Sequence, residues 1–147
     1  MTWTQLRANR EVQRHKTSQQ ELDKLRAVIR RDVADASLDG ASADRRFATA
    51  YNAALQAAKM AIGCAGYRVL GAGHHRTSFE VVKLALGKAA APYSDYFDRC
   101  RRKRNLIDYD DAFVATETET TEILTKAKEF ADLVELWIAK AHPSLKL

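Results

Sequence analysis

Apolar residues recur at steps of three and four along most of this chain, and no stretch alternates convincingly between apolar and polar positions. Such spacing places apolar side chains on one face of an α-helix, whereas alternation is typical of a strand. The predicted helices are about Thr4–His15, Ser18 to the turn at 37–40, Ser42 through Ile62, Thr77 to Gly87, about Pro92–Asp108, and a last helix that begins within 116–122 and ends at His142. We therefore predict an all-α fold, an antiparallel helical bundle of about five to six helices.

Local signals support several of these helix starts. Ser18 precedes Glu21 by three residues, and Thr77 precedes Glu80 by the same spacing, which is the capping-box pattern. Acidic residues within 116–122 suit a helix N-terminus. The third helix is rich in alanine, which permits close helix approach, and its predicted inward face includes Phe47, Ala50, Tyr51, Ala54 and Leu55.

The length of 147 residues suits one domain with one core. We predict a single domain over 1–147, in which 1–40 form an N-terminal helical extension packed on the bundle. No apolar run approaches the roughly 18 residues of a membrane span, and the N-terminus lacks the apolar core of a signal peptide, so we expect a cytoplasmic protein without a membrane segment. Cys64 and Cys100 share no paired metal-ligand spacing, so we expect buried thiols, no metal site and no cofactor.

The charge of the chain is concentrated in one short segment. The whole sequence has 24 Lys and Arg against 19 Asp and Glu, a formal net charge of +5. Residues 99–104 supply five of these cations, namely Arg99, Arg101, Arg102, Lys103 and Arg104, and without them the balance is 19 against 19. Guanidinium groups bind phosphate oxygens bidentately, so we expect this run to bind the RNA or DNA backbone in a salt-sensitive way. The alternative is an ordinary solvated helix face.

Polar residues on the same predicted helix stack beside one another. Arg101, Arg104, Asn105 and Asp108 fall three or four residues apart, which places them on one helix face. Asp108 is a candidate general base. The alternative, which we favour, is that Asp108 forms a structural ion pair with Arg104 or Arg101.

Two adjacent histidines precede the predicted fourth helix. His74 and His75 lie where a loop would reach a neighbouring cleft, and imidazole titrates in the range useful for proton transfer. We treat them as possible accessory residues of a site near 99–109. The alternative is a loop or capping pair, and a metal site is less well supported because no carboxylate or cysteine follows at ligand spacing.

The run Arg-Arg-Lys-Arg-Asn-Leu-Ile-Asp-Tyr at 101–109, the alanine-rich helix before it and the long helix after it resemble the HEPN (higher eukaryotes and prokaryotes nucleotide-binding) family. The resemblance covers roughly 44–141. It implies that Arg104 matches the family's motif arginine and Asn105 the polar residue that follows. Tyr109 stands at the position where toxin members carry His. The resemblance also implies a HEPN-like domain, RNA as substrate, a homodimer, and a toxin or defence effector that can pair with a nucleotidyltransferase antitoxin.

Metal-independent RNA cleavage requires a base, an acid and a cation for the charge of the phosphorane. Arg104 suits only the last role, because a guanidinium stays protonated. Tyr109 has an ordinary pKa near 10 and acts as a base near neutrality only if neighbouring cations lower that pKa. The sequence leaves three hypotheses: a metal-independent ribonuclease, a non-catalytic module that binds RNA or a nucleotide, and a dimerising interaction domain.

Overall fold

The computed structural model describes residues 1–71, 74–108 and 112–147, and of residues 74 and 76 it describes the backbone alone. The α-helices in these ranges are α1 (Trp3–Ala8), α2 (Gln19–Ala36), α3 (Ala43–Cys64), α4 (His74–Leu86), α5 (Ala91–Asp108) and α6 (Glu117–Ala141). Two short strands, β1 (Val12–Arg14) and β2 (Tyr67–Val69), pair with each other. Single 3₁₀ turns follow α4 and α6, at Gly87–Ala90 and Pro143–Leu145. The predicted helical bundle is confirmed.

The core is built around α3, which packs against α2, α4, α5 and α6. Alanines on several sides of α3 are fully or almost fully buried, among them Ala50, Ala54 and Ala58. Their small side chains let the neighbouring helices approach. Large side chains then fill the space between helices: Phe47, Tyr51, Phe79, Phe97 and Phe130 are all at most 2% exposed. Each such burial stabilises the fold by roughly 1.5–3 kcal/mol.

Hydrogen bonds between helices define their directions. Arg46 donates to the Ala36 carbonyl at 2.9 Å, and Asn52 donates to Asp32 at 2.6 Å, so α3 runs antiparallel to α2. In contrast, α3 and α6 begin at the same end of the bundle. The Thr120 hydroxyl donates to the carbonyl of Ala43 at 3.1 Å, close to the first residue of each helix. The antiparallel arrangement therefore holds for α2 with α3, whereas α3 and α6 run parallel.

Helix boundaries follow the predicted capping signals in most places. The Ser18 hydroxyl accepts from the Glu21 N–H at 3.1 Å, and Thr116 forms a complete capping box with Glu119. At Ser18 the reciprocal half of the capping box is not formed. The Glu21 carboxylate instead accepts from Nε2 of His15, at 2.8 and 2.9 Å.

The N-terminal segment differs from the predicted helix Thr4–His15. Helix α1 ends at Ala8, Arg10 takes a left-handed backbone with φ of 59°, and Val12–Arg14 forms β1. This strand pairs antiparallel with β2, with Val12 opposite Val69. The prediction of an uninterrupted helix, and of no strand, was wrong. Three residues are too short a segment to display alternation, and the hydrogen-bonding partner lies beyond α3 in the sequence.

The start of the fourth helix also differs from the prediction. Helix α4 begins at His74, so Thr77 and Glu80 lie inside the helix rather than at its cap and first turn. His75 is consequently a helical residue and not a loop residue. This places it one turn from Phe79, which is fully buried in the core.

A second, smaller apolar cluster supports the two strands. Its buried members are Leu6, Val12, Ile62 and Val81. The indole of Trp3 stacks on the ring of Tyr67, with centroids 4.2 Å apart and planes inclined by 2°. Gly66, with φ of 98°, reverses the chain between α3 and β2. None of the described helices is both long enough and apolar enough to span a membrane.

One buried arginine joins three parts of the bundle. Arg26 on α2 is 3% exposed, and its guanidinium donates two hydrogen bonds of 2.9 Å to Glu135 on α6. It also donates to Asp23 at 2.9 Å and to the carbonyl of Leu145 at 2.8 Å. The hydrogen bond with Glu135 is the largest influence on the Arg26 pKa and raises it. All of these hydrogen bonds are charge-assisted, because the donor is the guanidinium. Together they join α2 to α6 and to the C-terminal turn.

We expect Arg26→Ala to lower the free energy of unfolding by about 3 kcal/mol, because it leaves Glu135 and the Leu145 carbonyl without their donor. Urea denaturation followed by circular dichroism measures the change. Lys126→Ala, which breaks an exposed ion pair of 3.7 Å with Glu129, is the control and should cost less than about 1 kcal/mol. Equal effects of the two substitutions would contradict the role given to Arg26.

Candidate functional site

Helix α5 positions the basic run by burying its opposite face. Phe97 and Cys100 point into the core, so Arg99 and Arg102 lie on the exposed side of the helix. The guanidinium carbon of Arg99 is 5.9 Å from the ring centroid of Tyr96, a cation–π distance. Within the described ranges, neither Arg99 nor Arg102 forms an ion pair. These two side chains are therefore the cations of the run that remain open to an external anion.

The other three cations of the run are already paired with carboxylates. Arg101 lies 3.3 Å from Asp98, and Arg104 lies 2.7 Å from Asp108. Lys103 forms an ion pair with Glu119 at the start of α6, and this hydrogen bond is the main reason that the Glu119 pKa is lowered. The excess charge that is obvious in the sequence is thus partly compensated in three dimensions. The cationic surface is smaller than the sequence suggests.

Arg104 is held between its ion pair and the core. Its guanidinium carbon lies 5.7 Å from the ring centroid of Tyr51, which is fully buried on α3. The side chain of Arg104 is 27% exposed and that of Asp108 is 42% exposed, so the pair faces solvent on one side only. The ion pair between Arg104 and Asp108, which the sequence offered as an alternative to catalysis by Asp108, is present. Asn105 is half-buried beside it and makes no hydrogen bond with the described residues.

Helix α4 brings a histidine to the same tyrosine. The imidazole of His75 lies 5.9 Å from the Tyr51 ring, centroid to centroid, with the planes inclined by 37°. Arg104 and His75, predicted from separate parts of the sequence, therefore both contact one ring. The structure places Arg101 on the same helix as Arg104, and its charge also acts on the Tyr51 phenol. The remaining predicted residue of the motif, Tyr109, lies outside the described residues, as does the side chain of His74.

Tyr51 is the member of this cluster that sequence reasoning treated as ordinary core. Its hydroxyl is fully buried and has no hydrogen-bond partner in the described part of the chain. Burial raises the pKa of the Tyr51 phenol far above its ordinary value, while the charge of Arg104 lowers it to a smaller extent. Tyr51 therefore stays neutral, and its buried ring is a common neighbour of His75 and Arg104. The only sequence signal for this role is a polar atom on an otherwise apolar helix face.

The two cysteines are unsuited to nucleophilic chemistry. Cys64 and Cys100 are buried free thiols, and burial raises the pKa of each to about 11. This confirms that both are small core residues. Among the residues that the structure describes, no three His, Cys, Asp or Glu side chains are grouped so that they could hold a metal ion.

In comparisons with known proteins, no family model, no curated protein and no solved structure matches this chain.

We expect Tyr51→Phe to keep the fold and to raise the free energy of unfolding by about 1 kcal/mol, because it removes a buried hydroxyl that has no partner. Thermal and urea unfolding measure the change. Tyr93→Phe is a matched control, since the Tyr93 hydroxyl donates to Glu129 at 3.2 Å and its loss should be neutral or slightly destabilising. Clear destabilisation by Tyr51→Phe would show that its hydroxyl is hydrogen-bonded in solution.

Proposed function

We propose that this protein is a HEPN-like ribonuclease that binds RNA along α5 and cleaves it without a metal ion, using Arg104 and His75. The observation that carries the proposal is their shared contact with Tyr51, at 5.7 Å and 5.9 Å from its ring centroid. A guanidinium and an imidazole near one rigid ring supply the cation and the proton carrier that the reaction needs. The resemblance of 101–109 to the HEPN motif supports the same assignment.

The proposed reaction is an internal transesterification. Neutral His75 takes the proton from a ribose 2′-hydroxyl, and the oxygen attacks the adjacent phosphorus. Arg104 donates hydrogen bonds to the non-bridging oxygens as negative charge develops on the phosphorane. The bond between phosphorus and the 5′-oxygen then breaks, and the imidazolium of His75 returns its proton to that oxygen. The products are a 2′,3′-cyclic phosphate and a free 5′-hydroxyl.

The exposed cations serve binding in this proposal. Arg99 and Arg102 contact backbone phosphates on either side of the reacting group, because they are the cations of the run without a carboxylate partner in the described ranges. Each phosphate contact on a single strand contributes a salt-dependence slope of about −0.7. Binding should therefore weaken steeply with salt.

A second candidate function, RNA or nucleotide binding without turnover, is favoured by one contact. Asp108 holds the Arg104 guanidinium at 2.7 Å, which occupies donors that a phosphorane would need. In this alternative the ion pair is permanent, and α5 acts only as a phosphate-binding face.

Incubation of RNA with purified protein in excess chelator tests the proposal. We expect wild type to cleave, and Arg104→Ala and His75→Ala to lose activity by about 100-fold or more while retaining helical circular dichroism. Arg30→Ala is the matched control, since it removes one exposed arginine from α2. It should cleave like wild type.

The possible outcomes separate the two candidates. Cleavage by Arg104→Ala at the wild-type rate would contradict the ribonuclease assignment. If wild type binds RNA without cleaving it, and Arg99→Ala and Arg102→Ala weaken that binding, the second candidate is supported. Absence of binding at low salt would contradict both.

We also propose that the protein is a toxin or defence effector. In this proposal it forms a homodimer beside α5 and pairs with a nucleotidyltransferase. Two apolar side chains near the cationic face support the dimer: Leu106 is 51% exposed and Phe113 is 98% exposed. We expect sedimentation velocity to detect a wild-type dimer that Leu106→Asp dissociates. Leu136→Asp, at a 71% exposed position on α6, is the control and should leave the dimer intact. A monomeric wild type would contradict this part of the proposal.

A further inference from the structure

A cavity of about 310 Å³ lies between the two-stranded sheet and helices α2, α3 and α4. It exists because β2 leaves α3 at Gly66 and crosses beside the bundle instead of extending α3. Ligand sites of proteins commonly have volumes of roughly 300–1,000 Å³, so this cavity has the size of a small-molecule site. Its wall is formed by residues of α2, α3, α4, β2 and the segment before α2, and none of the residues assigned to RNA lines it.

Two polar side chains in the cavity wall lack partners. The hydroxyl of Ser78 is fully buried and has no hydrogen bond in the described structure. Lys59 is half-buried, and across the described ranges it has neither a hydrogen bond nor an ion pair. Burial lowers the pKa of the Lys59 ammonium, with no carboxylate acting against that shift. Buried polar groups in proteins are nearly always paired, so the Ser78 hydroxyl indicates a missing acceptor, and the half-buried Lys59 ammonium in the same wall supplies a positive charge.

Charges around the cavity define the anion that it would accept. Lys59 and Arg68 are cationic, and Glu21 is the carboxylate in the wall. Glu21 is already held by His15, whose Nε2 lies 2.8 and 2.9 Å from its two oxygens. Lys59 and Arg68 therefore give the cavity wall an excess of positive charge over its one carboxylate. A ligand carboxylate would pair with Lys59, whereas Glu21 in the same wall disfavours a ligand with further negative charge.

The rest of the wall is apolar. Leu25, Ile62 and Val69 line it together with the ring of Tyr67, which is fixed by its stacking on Trp3. We propose that the cavity binds a small monocarboxylate with an apolar body. Its carboxylate pairs with Lys59, its body lies against Leu25 and Ile62, and Ser78 donates a hydrogen bond to one of its oxygens.

Titration with 3-phenylpropionate, followed by amide chemical shifts in NMR spectra of the full chain, tests this site. We expect saturable shifts confined to residues of the cavity wall. Lys59→Met should weaken binding by about tenfold or more, because it keeps the apolar stem and removes the charge. Lys24→Met, at an exposed position of α2 outside the cavity, is the matched control and should bind like wild type.

A neutral probe and a dianion complete the experiment. We expect 3-phenylpropanamide to bind about tenfold more weakly than the acid and adenosine monophosphate not to compete. Equal affinity for acid and amide, no saturable shift with the acid, or tighter binding of the nucleotide would overturn the proposal. Lys59→Met should cleave RNA as wild type does, so this site and the ribonuclease proposal succeed or fail separately.

Discussion

Four helices reach α3 at close range because so many of its buried positions are alanine. Small side chains allow the backbones to approach, and the few large ones, Phe47 and Tyr51 among them, then determine where each neighbour must lie. The position of α5 depends on this packing, since Phe97 of α5 stacks on Phe79 of α4 with centroids 5.4 Å apart. The cationic face is therefore positioned by contacts on the opposite side of its own helix.

Tyr51 connects the core to the proposed chemistry. Its phenol ring is packed in the interior and contacts both His75 of α4 and Arg104 of α5. Tyr51 therefore gives two side chains from different helices one common neighbour in the core. The same arrangement fits both candidate functions. Preorganised donors stabilise a phosphorane, and a preorganised guanidinium also binds a ground-state phosphate.

The helices and their caps were largely predictable from the sequence. The bounds of α2, α3, α5 and α6 depend on apolar periodicity and on capping residues such as Ser18 and Thr116, whose partners lie three residues away. The sharing of one face of α5 by Arg101, Arg104 and Asp108 was predictable from their spacing of three and four residues. The ion pair between Arg104 and Asp108 is an i to i+4 contact that the helix alone creates. The start of α4 was not predictable in this way, since the Thr77 signal lies inside the helix.

The sequence by itself determined that this chain is a helical bundle with a concentrated basic run on one helix, because both properties arise from neighbours within a few positions. Tertiary structure decided which of those cations are free: Lys103 is neutralised by Glu119 of another helix. It also decided that β1 pairs with β2, that His75 meets Arg104 at Tyr51, and that Lys59 and Ser78 share a cavity. Each of these contacts joins residues of different helices or strands, and its formation depends on how those elements pack rather than on any local pattern.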